Sequence, residues 1–191
     1  QHYRSPLDFS WEALDEAEKG LKRIYLTKKQ IEETLAAGKW SAEKLPADFE
    51  NEIKSLEGKW AQSMDDDLNT AAALGHLFHF IRLANRILEN KSWKKSEQAR
   101  EIFNHFIQKI KTWGEVLGLF NQESSLFLHE LREYKAKRKG IDTEKVNDLV
   151  KARQKARQDK DFAKADAIRN ELVEMQIEVK DTPQGPVWDV V

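Results

Sequence analysis

Residues 64–88 read MDDDLNTAAALGHLFHFIRLANRIL. Three acids, then Asn69 and Thr70, stand just before an apolar-periodic run, where such residues satisfy free backbone N–H groups and complement a helix dipole. Within the run, Ala71, Leu74, Phe78, Ile81 and Leu88 form one stripe at helical spacing. Leu77, Phe80, Ala84 and Ile87 form a second. A helix with two apolar stripes is contacted on two sides, which predicts a central place in a helical bundle.

On the N-terminal side, Ser10 can cap a helix carrying Trp11, Leu14, Leu21, Ile24, Ile31 and Leu35 and ending near Gly38. A linker from Trp40 to Pro46 leads to a second helix with Phe49, Ile53, Leu56 and Trp60. On the C-terminal side, Phe103, Phe106, Ile110, Trp113 and Leu117 mark a fourth helix that stops around Gly118. Asn121 to Ser125 reads as loop, and Leu126 to Lys139 as an amphipathic stretch of undecided type. Gly140-Ile141-Asp142-Thr143 punctuates the chain, and the domain boundary is expected there, dividing it into 1–139 and 140–191.

The second part carries one short helix with Val146, Leu149, Val150 and Arg153. Another starts at Asp161 and carries Phe162, Ala165, Ile168, Leu172 and Met175. Ile177 and Val179 then alternate with Glu178 and Lys180, and residues 187–190 read as a second strand. Thr182-Pro183-Gln184-Gly185 between them is turn chemistry. The expected fold is mainly α: an antiparallel helical bundle followed by a small α+β appendage of two short helices and a β-hairpin.

With 191 residues, 40% hydrophobic and 34% charged, the chain is long enough and apolar enough to bury a core. No apolar run approaches the ~20 residues that cross a bilayer, and no basic-then-apolar leader opens the chain. The absence of cysteine excludes disulfides, thiol catalysis and Cys-based metal sites within these residues. It fits a reducing compartment. The net charge of −1 is unevenly spread, since residues 132–164 hold 12 Lys/Arg against 6 Asp/Glu. That basic segment is either a polyanion contact or a solvated helix face.

His76 and His79 stand three residues apart, a spacing that suits metal ligands in a bundle core. Packing or surface roles explain them as well. Asp65, Asp66 and Asp67 could bind Mg²⁺, although helix capping accounts for them more simply. No nucleotide-binding Gly-rich loop, Gly-x-Ser-x-Gly or His-Glu-x-x-His occurs, and no catalytic residues are assigned.

Residues 151–188 are richer. Lys151, Arg153, Lys155, Arg157, Lys160 and Lys164 space cations for a phosphate backbone. Phe162 offers a face for an unpaired base. Asp166 and Asp181 suit the amino and imino donors on the Watson–Crick edges of guanine and cytosine. The alternative makes Phe162 a core residue of the appendage, Asp166 a helix-surface charge and Asp181 a turn residue.

The stretch Ala156 to Arg169, ARQDKDFAKADAIR, and the stretch Val179 to Trp188, VKDTPQGPVW, resemble the C-terminal region of cysteinyl-tRNA synthetases. The opening His2-Tyr3-Arg4-Ser5-Pro6-Leu7 and the mid-chain Met64-Asp65-Asp66-Asp67-Leu68-Asn69-Thr70 are similar to marks of the same family, in its order and at about its spacing.

The resemblance implies a helical-bundle anticodon-binding domain followed by a small mixed domain that reads the GCA anticodon of cysteine tRNA. It implies that Arg157 and Asp166 contact the guanine, that Phe162 stacks near it, and that Asp181 reads the central cytosine. The family's ATP, magnesium and catalytic zinc would be handled by residues of a catalytic domain outside these 191, with no cofactor here. A cytoplasmic monomer bound to no membrane is the accompanying expectation. A helical protein-interaction or structural module is the alternative.

Overall fold

The computed structural model describes residues 3–6, 9–182 and 185–191. It forms two compact units, Gln1–Ser125 and Leu126–Val191.

The first unit is built on four long helices: α1 (Trp11–Ala37), α2 (Asp48–Asp65), α3 (Thr70–Glu89) and α4 (Glu97–Leu117). Their ends follow local chemistry. Ser10 Oγ accepts from Ala13 N at 3.0 Å, and Gly38 closes α1 in the left-handed conformation, φ 63°. Ser96 Oγ accepts from Ala99 N at 3.0 Å, and Gly118 closes α4 with φ 69°. A short 3-10 turn at Trp93–Lys95 precedes α4, and Ser41 of the linker bonds on both sides of Ser96, to Lys95 O and from Glu97 N.

Helix α3 packs against α1, α2 and α4, as its two stripes predict. Leu77, Phe80, Ala84 and Ile87 are fully buried, and so is Ile81 of the other stripe. Aromatic rings fill the space between helices. Trp60 and Trp113 stack at 4.9 Å, and Phe80 lies against both Phe106 and Trp113.

The acids at 65–67 act differently from the expected cap. Asp65 ends α2, and Asn69 caps α3 by accepting from Ala72 N at 3.1 Å. Asp67 and Leu68 take left-handed φ of 51° and 53° to make the tight reversal. His79 Nε2 meets Glu52 Oε1 at 3.0 Å. Among the described residues no three His, Asp or Glu side chains gather to hold a metal.

The second unit comprises the rest of α5 (Ser124–Arg138), with α6 (Thr143–Gln158), α7 (Phe162–Glu174) and an antiparallel hairpin of β1 (Ile177–Thr182) and β2 (Gly185–Val190). The division falls between Ser125 and Leu126, earlier than the boundary expected after residue 139. The undecided stretch is a helix, and its Ala136 is buried with Val146, Val150, Ile168, Leu172, Ile177, Trp188 and Val190. Burial of Ala136 in that core is what assigns the helix to the C-terminal unit. The hairpin register pairs Val179 with Trp188 and Asp181 with Pro186. Pro183 and Gln184, half of the expected turn, lie outside the described residues, as do His2 and Leu7 of the opening stretch.

Candidate nucleic-acid interface

The site is assembled by a tight turn between α6 and α7. Just past the end of α6, Lys160 takes the left-handed region, φ 60°, and Asp161 N donates back to Ala156 O at 2.8 Å. Asp161 then caps α7 by accepting from Lys164 N at 3.1 Å. This hairpin of helices places Arg153 and Arg157 of α6 opposite Phe162, Asp166 and Arg169 of α7. Strand β1 supplies Val179 and Asp181, two residues apart on one face.

Together with Ala165, these side chains line one cleft of about 340 Å³. All four residues singled out in the sequence, Arg157, Phe162, Asp166 and Asp181, meet there. Phe162 is 63% exposed and lies outside the hydrophobic core, which excludes the core alternative for it. Asp166 and Arg169 are exposed, and neither makes a hydrogen bond or ion pair with another described residue. The cleft therefore presents an open ring face, a carboxylate and a guanidinium to solvent.

Asp181 is differently placed from a free base contact. Arg153 Nη1 donates to its Oδ1 at 2.9 Å and Arg153 Nη2 to its Oδ2 at 3.2 Å. Arg157 Nη1 donates to the same Oδ2. Hydrogen bonding by Arg153, joined by both positive charges, holds the Asp181 carboxyl below its ordinary value. The same bond, with the charges of Asp181 and Asp166, pushes Arg153 up.

Arg153 and Arg169 are site residues that sequence reasoning did not assign. Arg169 was legible at one helical turn from Asp166. Arg153 was counted among the phosphate-spaced cations, yet it is 8% exposed. Its signal was the apolar stripe Val146, Val150, Arg153, Ala156, all buried on α6.

A second, shallower cleft of about 270 Å³ adjoins the first and shares Arg157 and Asp181 as its wall. Gln154, Gln158, Thr182, Gly185 and Pro186 complete it. A larger cavity of about 540 Å³ lies in the bundle, between α1 and α3, and contains none of the predicted site residues.

Residues 59–121 match the DALR domain, and residues 143–188 match the family described as the cysteinyl-tRNA ligase anticodon binding domain. The second match encloses every residue of the cleft. The chain belongs with the C-terminal region of the cysteine–tRNA ligases. It is 54% identical over 190 residues to the cysteine–tRNA ligase of Maridesulfovibrio salexigens, covering 100% of this chain and 39% of the relative. It is 52% identical over 191 residues to that of Nitratidesulfovibrio vulgaris strain Miyazaki F, with the same coverage. The cysteine–tRNA ligase of Lawsonia intracellularis is 34% identical over 191 residues, again with 39% of the relative covered. The chain thus spans about two-fifths of the length of these ligases. In this cysteine–tRNA ligase region, no described helix is long and apolar enough to cross a membrane.

Proposed function

We propose that this chain is the anticodon-binding part of a cysteine–tRNA ligase and that its C-terminal cleft reads the GCA anticodon. The convergence of Arg157, Phe162, Asp166 and Asp181 on one cleft carries this reading. Each group has a task in it. Phe162 stacks on the first base, where an aromatic face supports any base. Asp166 accepts from the imino and amino donors of guanine, and Arg157 donates to its acceptor edge. Asp181 accepts from the exocyclic amine of the central cytosine. The exposed lysines of α6 and α7 attract the phosphate backbone.

The larger ligase would attach cysteine to its tRNA in an ATP-dependent reaction in the cytoplasm, acting as a monomer. Its ATP, magnesium and zinc would be held outside these 191 residues. On this reading the chain alone gives no cysteine-dependent ATP–pyrophosphate exchange.

The deciding experiment is binding of cysteine tRNA by the 191-residue chain, compared with the same tRNA carrying an altered anticodon, at two salt concentrations. Tighter binding of the GCA form at both is expected. Equal binding of both forms reduces the site to a non-specific basic surface. No binding at all leaves a helical interaction module.

A further inference from the structure

We propose that Arg153 is a positioning residue that sets which base Asp181 accepts. This rests on the anticodon reading above.

Arg153 projects from the buried face of α6, one turn after Val150 and one before Ala156, with its side chain only 10% exposed. A guanidinium taken from water must be paired, and its hydrogen bonds go to both oxygens of Asp181. Two parallel N–H···O bonds from one planar fork fix the plane of the carboxylate as well as its position.

The lone pairs show the consequence. An ionised carboxylate has about four acceptor sites. Arg153 occupies one on each oxygen, and Arg157 occupies another on Oδ2. One site remains, on Oδ1, on a side chain that is 49% exposed. A single oriented acceptor with no proton of its own takes an N–H donor, such as the amine of cytosine. It repels an acceptor in the same place, such as the O4 carbonyl of uracil.

The two arginines are not equivalent. Arg157 is 47% exposed and reaches the open cleft, so its other N–H groups can meet a ligand while Nη1 stays on Asp181. Arg153 cannot move without opening the core of the unit. Removing it would free the carboxylate to rotate onto Arg157 and present no defined acceptor.

The test uses the 191-residue chain and RNA hairpins bearing an anticodon loop with GCA, with uracil at the centre, or with adenine in the first position. Wild type, Arg153→Met, Arg153→Lys, Asp181→Asn and the double variant Arg153→Met/Asp181→Asn are compared, each with a thermal melt. Wild type is expected to prefer central cytosine about tenfold, the scale of one good base contact. Arg153→Met should remove that preference while leaving the first-position preference for guanine. Arg153→Lys, which keeps the charge without the fork, should lose most of it and serves if the Met variant does not fold. In the Asp181→Asn background, Arg153→Met should change nothing further. A folded Arg153 variant that keeps the central preference, or that weakens every hairpin equally, overturns the proposal and leaves the pair as a tie between α6 and β1. A wild type that selects guanine first but ignores the central base overturns this proposal and the central-base role of Asp181, and leaves the first-base reading standing. A wild type that binds none of the hairpins overturns the anticodon reading with it.

Discussion

Tyr3 Oη donates a hydrogen bond to Asp67 Oδ1 at 2.9 Å, between residues 64 apart in the chain. Arg4 adds contacts to both oxygens of Asp67, at 3.1 Å and 3.0 Å. The opening and mid-chain stretches that carry the family resemblance therefore meet inside the first unit. The acid that looked like a helix cap is a receptor for the chain's first described residues.

This contact has a titration signature. Asp67 holds the Tyr3 phenol above its ordinary value of 10.0, chiefly by accepting its hydrogen bond, while Arg4 pulls the other way. Asp67→Asn should bring one of the three tyrosines down toward 10, read from phenolate absorbance against pH. An unchanged curve would mean that the contact is not populated in solution.

Phe162 is exposed beside the cleft and contributes nothing to the core of its unit. Phe162→Ala should leave the melting temperature unchanged while weakening tRNA binding by about 1–3 kcal/mol, the range for one lost stacking platform. A variant that unfolds, or one that binds as tightly as wild type, removes the stacking role.

The Asp181 carboxyl lies below its ordinary 3.8 in the folded chain. A depressed carboxyl contributes stability that is fully present above the unfolded value and is lost as pH falls through the folded one. The melting-temperature deficit of Asp181→Asn should therefore be constant above about pH 5 and close below the ordinary carboxyl value. A deficit that persists in acid would show that the ionised form is not what stabilises the fold.

Trp188 is buried, its Nε1 donates to Asn147 Oδ1 at 2.8 Å, and Arg132 covers its ring at 4.4 Å. Asn147→Ala should cost about 1 kcal/mol, the usual net value of one hydrogen bond. Trp188→Ala should cost about 3–5 kcal/mol, the scale of a large core truncation. Denaturant melts of both variants check the ranking, and an Asn147 variant as damaged as the Trp188 variant would contradict it.

Elements set by local chemistry were readable along the chain. Ser10 with Gly38, and Gly118 after Trp113, delimit helices through caps that depend on nearby backbone alone. Asp161 announces α7 in the same way. What was not readable depends on distant partners. The amphipathic stretch 126–139 gains its place because Ala136 finds the C-terminal core. Asp67 gains its place because Tyr3 and Arg4 reach it. In the site, residue types pointed to the right cleft, since Arg157, Phe162, Asp166 and Asp181 all line it. Asp181 read as an unengaged base contact because nothing local reveals the packing that brings Asp181 of β1 to Arg153 on the buried face of α6. Only that packing turns Arg153 from a solvated cation into the partner of Asp181.

Three arginines and two carboxylates line the cleft, so its own net charge is only +1. Lys151, Lys155, Lys160 and Lys164 are exposed and outside it. Attraction and selection are therefore assigned to different side chains. Raising ionic strength displaces the counterion-release contribution of the lysines but hardly touches short hydrogen bonds at a base edge. Affinity for RNA would fall steeply with salt while the ratio between matched and mismatched anticodons stays nearly level, making capture and choice separable by ionic strength alone.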